Sequence, residues 1–182
     1  GYREMIPGDD FDLGEDGSAL YYADWDVVGI MFRDWKPAQS HNISIQGTSG
    51  KTSYFLSVGY NHEEGVMTFN PDKLNKYNAN MNVTSDITNW LQIGGRFSYS
   101  DKAYTTPNTR RNTYTYMWRW GSFFGPYGTY QGIDMKNDIA YLKQAGDDKT
   151  NDSYTRIGAF LKATIIKGLT LNADYTFNIN NK

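Results

Sequence analysis

Leu169-Thr170-Leu171-Asn172-Ala173-Asp174-Tyr175-Thr176-Phe177-Asn178-Ile179-Asn180 alternates an apolar or aromatic residue with a polar one without a break, and Tyr77-Asn78-Ala79-Asn80-Met81-Asn82-Val83-Thr84 does the same. Successive side chains of a β-strand point to opposite faces, so each run reads as a strand with one apolar face and one wet face. The wet face is Asn and Thr with one Asp, and the apolar face turns to Tyr and Phe near its ends. A strand needs that distribution when lipid lies outside a barrel and water inside it.

The composition narrows the function classes. Eighteen Lys and Arg against twenty Asp and Glu leave a net charge of -2, so there is no basic field to hold nucleic acid. No apolar run approaches the length of a membrane helix, and a mean hydropathy of -0.66 excludes a helical membrane protein. A β-barrel escapes that objection, because only every second residue of a strand must face lipid. Cysteine is absent, which removes disulfide frameworks, zinc ribbons and thiol nucleophiles. Fifteen Tyr, nine Phe and five Trp make 16% of the chain aromatic, and many of these rings sit at strand ends or in connections. Such placement suggests membrane-interface girdles and contacts to sugars or peptides.

Working outward from the two decisive runs, the sequence predicts six strands: His41 to Gly47, Ser53 to Tyr60, Lys76 to Thr84, Trp90 to Ser100, Ser153 to Ile165 and Leu169 to Asn180. In the second, Tyr54, Leu56, Val58 and Tyr60 share a face, with Phe55 as the exception on the other. In the fourth, Leu91, Ile93, Phe97 and Tyr99 face one way and Gln92, Arg96, Ser98 and Ser100 the other, so Arg96 points inward. Tight turns at Thr48 to Lys51, Ser85 to Asn89 and Ile166 to Gly168 alternate with long polar connections at Asn61 to Asn75 and Asp101 to Asn151. Short turns on one rim and long loops on the other are the pattern of an outer-membrane barrel. The expected fold is therefore all-β: about six antiparallel strands forming part of a large transmembrane β-barrel with long extracellular loops. Residues 1–40 are read as a loop region leading into the barrel. Residues 41–101 hold four strands and one external loop, 102–151 form a long aromatic-rich loop, and 152–182 form a hairpin.

Strands of this length, tilted by roughly 40°, span on the order of 25 Å, the height of the apolar band of such barrels. A soluble sandwich would set Leu, Ile and Val against an opposing sheet, whereas here the apolar face mixes Tyr, Phe, Ala and Gly. Six strands are too few to close a membrane barrel. Two open edges in lipid, each with about five unpaired backbone groups, would cost tens of kcal/mol. The sequence thus predicts a piece of a larger barrel.

The run Ala23-Asp24-Trp25-Asp26, then Phe32-Arg33-Asp34 and His41-Asn42-Ile43-Ser44-Ile45-Gln46-Gly47, resembles SusC/RagA-like TonB-dependent outer-membrane transporters. The resemblance continues collinearly through Tyr54-Phe55-Leu56-Ser57-Val58-Gly59-Tyr60, Glu64-Gly65-Val66, Asn80-Met81-Asn82-Val83 and Ile87-Thr88-Asn89-Trp90-Leu91-Gln92-Ile93-Gly94. Beyond Asp101 it thins to Gly125-Pro126-Tyr127-Gly128 and Ala173-Asp174-Tyr175. Membership would imply a barrel of about twenty-two strands closed by a plug. It would also imply residence in the outer membrane of a Gram-negative bacterium, a SusD-like surface lipoprotein as lid, energy from the TonB complex through parts outside this chain, and import of glycans or peptides. The resemblance is silent on which substrate.

The expected substrate-binding residues are Trp118, Arg119, Trp120, Phe123, Phe124 and Tyr127, flanked by Tyr114, Tyr116 and Tyr130. Aromatic faces stack on sugar rings or peptide side chains, and a guanidinium donates to hydroxyls or carboxylates. The competing reading is that the cluster packs its own loop or meets a protein partner. No catalytic residue, metal ligand or cofactor is expected. Asp9-Asp10-Phe11-Asp12-Leu13-Gly14-Glu15-Asp16-Gly17 crowds carboxylates but departs from calcium-loop spacing, and His41 and His62 lack a third ligand. No nucleophile triad or phosphate loop is visible, so an enzyme is not expected. Two alternatives stand beside import: a non-transporting outer-membrane barrel such as an adhesin or assembly factor, and a soluble β-rich glycan-binding module.

Overall fold

The structure is a computed structural model that describes residues 1–119 and 125–182, with Trp118 and Arg119 described as backbone only. The protein is all-β in class, 59% strand and 11% helix, and its main feature is a six-stranded antiparallel sheet. In chain order the elements are β1 (Phe11–Leu13), β2 (Ala19–Tyr21), α1 (Val27–Met31), β3 (Ala38–Ser49), β4 (Thr52–Glu64), β5 (Lys73–Asp86) and β6 (Leu91–Pro107). They continue with α2 (Arg110–Arg119), β7 (Thr129–Tyr130), β8 (Ile133–Asp134), α3 (Asp138–Lys143), β9 (Asp147–Ile166) and β10 (Leu169–Asn181). Two compact units result. One comprises Gly1–Pro37, Glu64–Lys73 and Thr105–Asp148, and the other Ala38–Glu63, Leu74–Tyr104 and Lys149–Lys182.

The second unit is the sheet, in the order β10-β9-β6-β5-β4-β3. Its hairpins are set by glycine where the backbone needs a positive φ. Gly50 (φ 59°) opens the two-residue link between Ser49 and Thr52, and Gly168 (φ 89°) ends the link from β9 to β10. Pairing then keeps the two faces apart. Ile43 faces Val58, Ile45 faces Leu56, Phe177 faces Ile157 and Ala173 faces Leu161 on one side. On the other side Asn42 faces Gly59, Ser44 faces Ser57, Asn178 faces Arg156 and Asp174 faces Phe160. A slip of one residue would turn every apolar side chain to the wet side, so the alternation fixes the register.

All six strands run longer than the hydropathy alternation predicts. The added residues, such as Asn61 to Glu64 and Asp147 to Asp152, are polar on both faces. Pairing continues through them, but their side chains carry no period-two signal.

In the first unit, the stretches read as connections carry short helices and strands and build a core of Met5, Phe11, Trp25, Met31, Met67, Met117, Ile139 and Leu142. Helix α1 starts where the Asp26 carboxylate accepts from Gly29 N at 2.9 Å, and it buries Val27, Ile30 and Met31. Helix α3 starts where Asn137 Oδ1 accepts from Ala140 N at 2.8 Å, and it buries Ile139, Ala140 and Leu142. Helix α2 turns Thr113 and Met117, one turn apart, to the interior. Methionine is prominent because an unbranched thioether fills the irregular gaps left between segments without regular packing.

Gly94 on β6 is required by its neighbours. A Cβ there would stand 2.2 Å from the Phe160 ring and 2.7 Å from the Val83 carbonyl oxygen, whereas at Gly95 the nearest atom is the Gly158 carbonyl oxygen at 3.9 Å. Gly94→Ala is expected to lower unfolding stability by about 1–3 kcal/mol, and Gly95→Ala to leave it within about 0.5 kcal/mol. Denaturant unfolding of the two variants under identical conditions checks the contrast.

Candidate functional site

Two places merit a functional reading: the faces of the sheet, and the aromatic segment in the first unit. On the sheet, the wet face is tied by side chains rather than left loose. Asn80 Oδ1 accepts from Ser98 Oγ at 2.9 Å, and Arg96 Nη1 stands 3.1 Å from Asp174 Oδ2, with the guanidinium 4.6 Å from the centre of the Phe160 ring. Asn178 Oδ1 accepts from both Tyr154 Oη (2.9 Å) and Arg156 Nε (3.0 Å). The inward Arg96 of the sequence reading thus lies on the polar face, beside the one Asp of β10.

The opposite face is apolar and open. Ile43 and Tyr175 are each 73% exposed, and Leu56, Met81, Ile157 and Phe177 are also exposed. Among the described residues, every buried hydrophobic side chain except Ala163 belongs to the first unit. Rings mark both ends of this face. Tyr54 stands near a tight turn, whereas Tyr60, Tyr99 and Phe177 each follow the first residue of their strand by eight positions. Tyr60 packs on Tyr77 with ring centroids 5.0 Å apart, and His41 and His62 stack on it from either side. Eight residues cover about 26 Å along a strand and about 20 Å of height at a 40° tilt, close to the band of a lipid-facing barrel.

In the aromatic segment, Trp118 and Arg119 end the backbone of α2, while Trp120, Phe123 and Phe124 lie outside the described residues. Tyr127 is 2% exposed and belongs to the core, as does its flanking neighbour Tyr130, which meets Phe11 edge-on at 5.2 Å. Tyr114 and Tyr116, by contrast, are exposed on α2. Tyr127 also lines a cleft of about 320 Å³ with Gly125, Pro126, Lys136, Asn137, Asp138 and Tyr141. Asn137 is occupied in holding this wall together, since Nδ2 donates to the Pro126 carbonyl at 2.6 Å while Oδ1 caps α3. Burial raises the Asp138 carboxyl above the ordinary aspartate range, and burial followed by the Asp138 charge raises the Tyr127 phenol. Lys136, Asp138 and Tyr141 were not singled out from the sequence. The signal available was Asn137-Asp138 as a helix start with an aromatic residue one turn on.

Elsewhere in the first unit, Asp134 Oδ1 takes Lys143 Nζ at 2.6 Å and Tyr2 Oη at 2.8 Å, and the Lys143 ammonium lies over the Tyr2 and Phe69 rings. Lys143 first, with Tyr2, holds the Asp134 carboxyl below its ordinary range, while burial and Asp134 push the Tyr2 phenol up to about 12. Two carboxylates of the acidic run near the start of the chain are engaged within the fold. Asp10, 3% exposed, accepts from Arg3 Nη1 (2.6 Å), Arg3 Nη2 (2.8 Å) and Ile6 N (2.8 Å), and Asp16 caps a turn at Ser18. Among the described residues no group of three His, Cys, Asp or Glu is placed to hold a metal ion. No protein-family model matches the chain, and no curated protein matches it.

The Arg3 hydrogen bonds hold the Asp10 carboxyl below its ordinary value of 3.8. A depressed folded-state value stabilises the fold fully above the unfolded value, and that contribution is lost as pH falls through the folded one. Asp10→Asn is expected to cost about 1–3 kcal/mol at pH 7 and to flatten the loss of stability below pH 4. Urea unfolding of both proteins across that pH range measures it.

Proposed function

We propose that this chain is part of a transmembrane β-barrel in the outer membrane of a Gram-negative bacterium, a SusC/RagA-like TonB-dependent transporter that imports glycans or peptides with a SusD-like surface lipoprotein. The observation that carries the reading is a single sheet whose apolar face is uncovered while its polar face is cross-linked from strand to strand. Water rewards neither an uncovered apolar face of that extent nor rings ranked along its rims. Lipid rewards both. The exposed apolar side chains of this face, moved from water into hydrocarbon, are worth on the order of 10 kcal/mol.

The free edges of β3 and β10 set the next requirement. Each carries a row of outward N–H and C=O groups, and leaving them unpaired in hydrocarbon would cost tens of kcal/mol, more than the face gains. Lipid therefore suits this sheet only if further strands pair with both edges, as in a closed barrel. Under this reading the tight turns face the periplasm, and the connections Asn61 to Asn75 and Asp101 to Asn151 are extracellular. The polar face lines a wet lumen. The collinear resemblance from Asp24 to Ser100 selects the transporter class among outer-membrane barrels.

The absence of cysteine allows a clean test. Single replacements Ile43→Cys, Leu56→Cys, Met81→Cys and Phe177→Cys, against Ser44→Cys, Ser57→Cys, Asn80→Cys and Asn178→Cys, are spin-labelled in bilayer-reconstituted protein. The first set is expected to relax with lipid-soluble oxygen and the second with a water-soluble nickel chelate. Equal access of the chelate to both sets would refute a lipid-facing sheet.

A further inference from the structure

Within the first unit, the cleft beside α3 brings together Lys136, Asp138 and Tyr141, whose side chains are not part of the core. We propose that this cleft binds a terminal sugar ring of a glycan, with Tyr141 as the stacking platform and Asp138 and Lys136 as the hydroxyl-reading groups. The assignment rests on the import reading and deepens it by choosing glycan over peptide.

Asp138 and Tyr141 sit three residues apart on α3, so they project from one side of the helix. Tyr141 leaves 49% of its surface in solvent at the mouth of the cleft, and Tyr127 closes the deeper wall. The carboxylate is half-buried, and no hydrogen-bond donor offsets its burial among the described residues. Two vicinal hydroxyls would supply that carboxylate with the two donors it lacks, and the apolar face of a pyranose would cover the Tyr141 ring. Lys136, exposed on the rim, has three donors for ring or hydroxyl oxygens and no acceptor. A peptide backbone would call instead for a strand edge or a row of main-chain partners. Here the main-chain carbonyls of Gly125 and Pro126 are already taken by Tyr127 N, Gly128 N and Asn137 Nδ2, so the polar groups offered are the side chains of Lys136 and Asp138. At about 320 Å³ the cleft is at the small end of ligand sites, which fits the end of a chain rather than a whole oligosaccharide.

The test is calorimetric titration of the full chain in detergent micelles with neutral hexasaccharides of α-1,4-glucan, β-1,4-xylan and α-1,6-mannan, and separately with mixed hexapeptides. The proteins are wild type, Tyr141→Ala, Tyr141→Phe and Asp138→Asn, each checked for an unchanged near-ultraviolet dichroism spectrum. At least one hexasaccharide is expected to bind, weakened tenfold or more by Tyr141→Ala and by Asp138→Asn and retained by Tyr141→Phe. Sugar binding unaffected by all variants, binding of peptides but no sugar, or no binding at millimolar sugar would each overturn the assignment. The import reading fails separately: protein that stays out of bilayers yet binds sugar through Tyr141 and Asp138 would keep the cleft and refute transport.

Discussion

Backbone hydrogen bonding at the edges of one sheet is the constraint on which this protein's structure turns. Inside the sheet each strand satisfies its neighbours, and the alternation of side chains sorts the two faces. At β3 and β10 the ladder stops, with a full strand length of donors and acceptors turned outward. The apolar face favours hydrocarbon by on the order of 10 kcal/mol, yet hydrocarbon punishes the edges by more than that. Only added strands reconcile the two, and closure is the arrangement that leaves no edge behind. The proposed barrel reading meets that mismatch by pairing further strands to both edges.

The wet face shows how such a sheet tolerates charge. Arg96 does not stand alone: Asp174 faces it and the Phe160 ring lies under the guanidinium. That ring needs Gly94 beneath it, so a glycine with an ordinary backbone conformation becomes a packing requirement. Asn80, Asn178 and their hydroxyl and guanidinium partners continue the cross-links across the sheet. Amides suit this role because each offers both donor and acceptor to adjacent strands.

The strands were legible in the sequence because a period of two survives wherever one face is apolar. Their ends were not, since residues such as Asn61, His62, Glu63 and Glu64 pair in β4 with polar groups on both sides. Under the barrel account those ends are the parts that rise out of the lipid, so the missing signal has a cause. The core of the first unit was hidden for a different reason. Its contacts join residues as distant as Met5, Met67 and Leu142, and no local pattern reports such pairings. A compositional trace did exist: Met5, Met31, Met67, Met117 and Met135 all fall in the segments read as loops, leaving only Met81 in a strand. At the candidate site, aromatic content drew attention to Trp118 through Tyr127, whereas the cleft depends equally on Asp138 and Tyr141 of a six-residue helix too short to announce itself by periodicity.

The most direct test of the central claim is polarised infrared spectroscopy of the protein in oriented bilayers, read from the dichroism of the amide I and amide II bands. A membrane-spanning barrel places its strands about 35–45° from the bilayer normal, and the account predicts an order parameter within that range together with recovery of the protein in the lipid fraction. Strands lying flat on the bilayer, randomly oriented, or left in the aqueous fraction would contradict it.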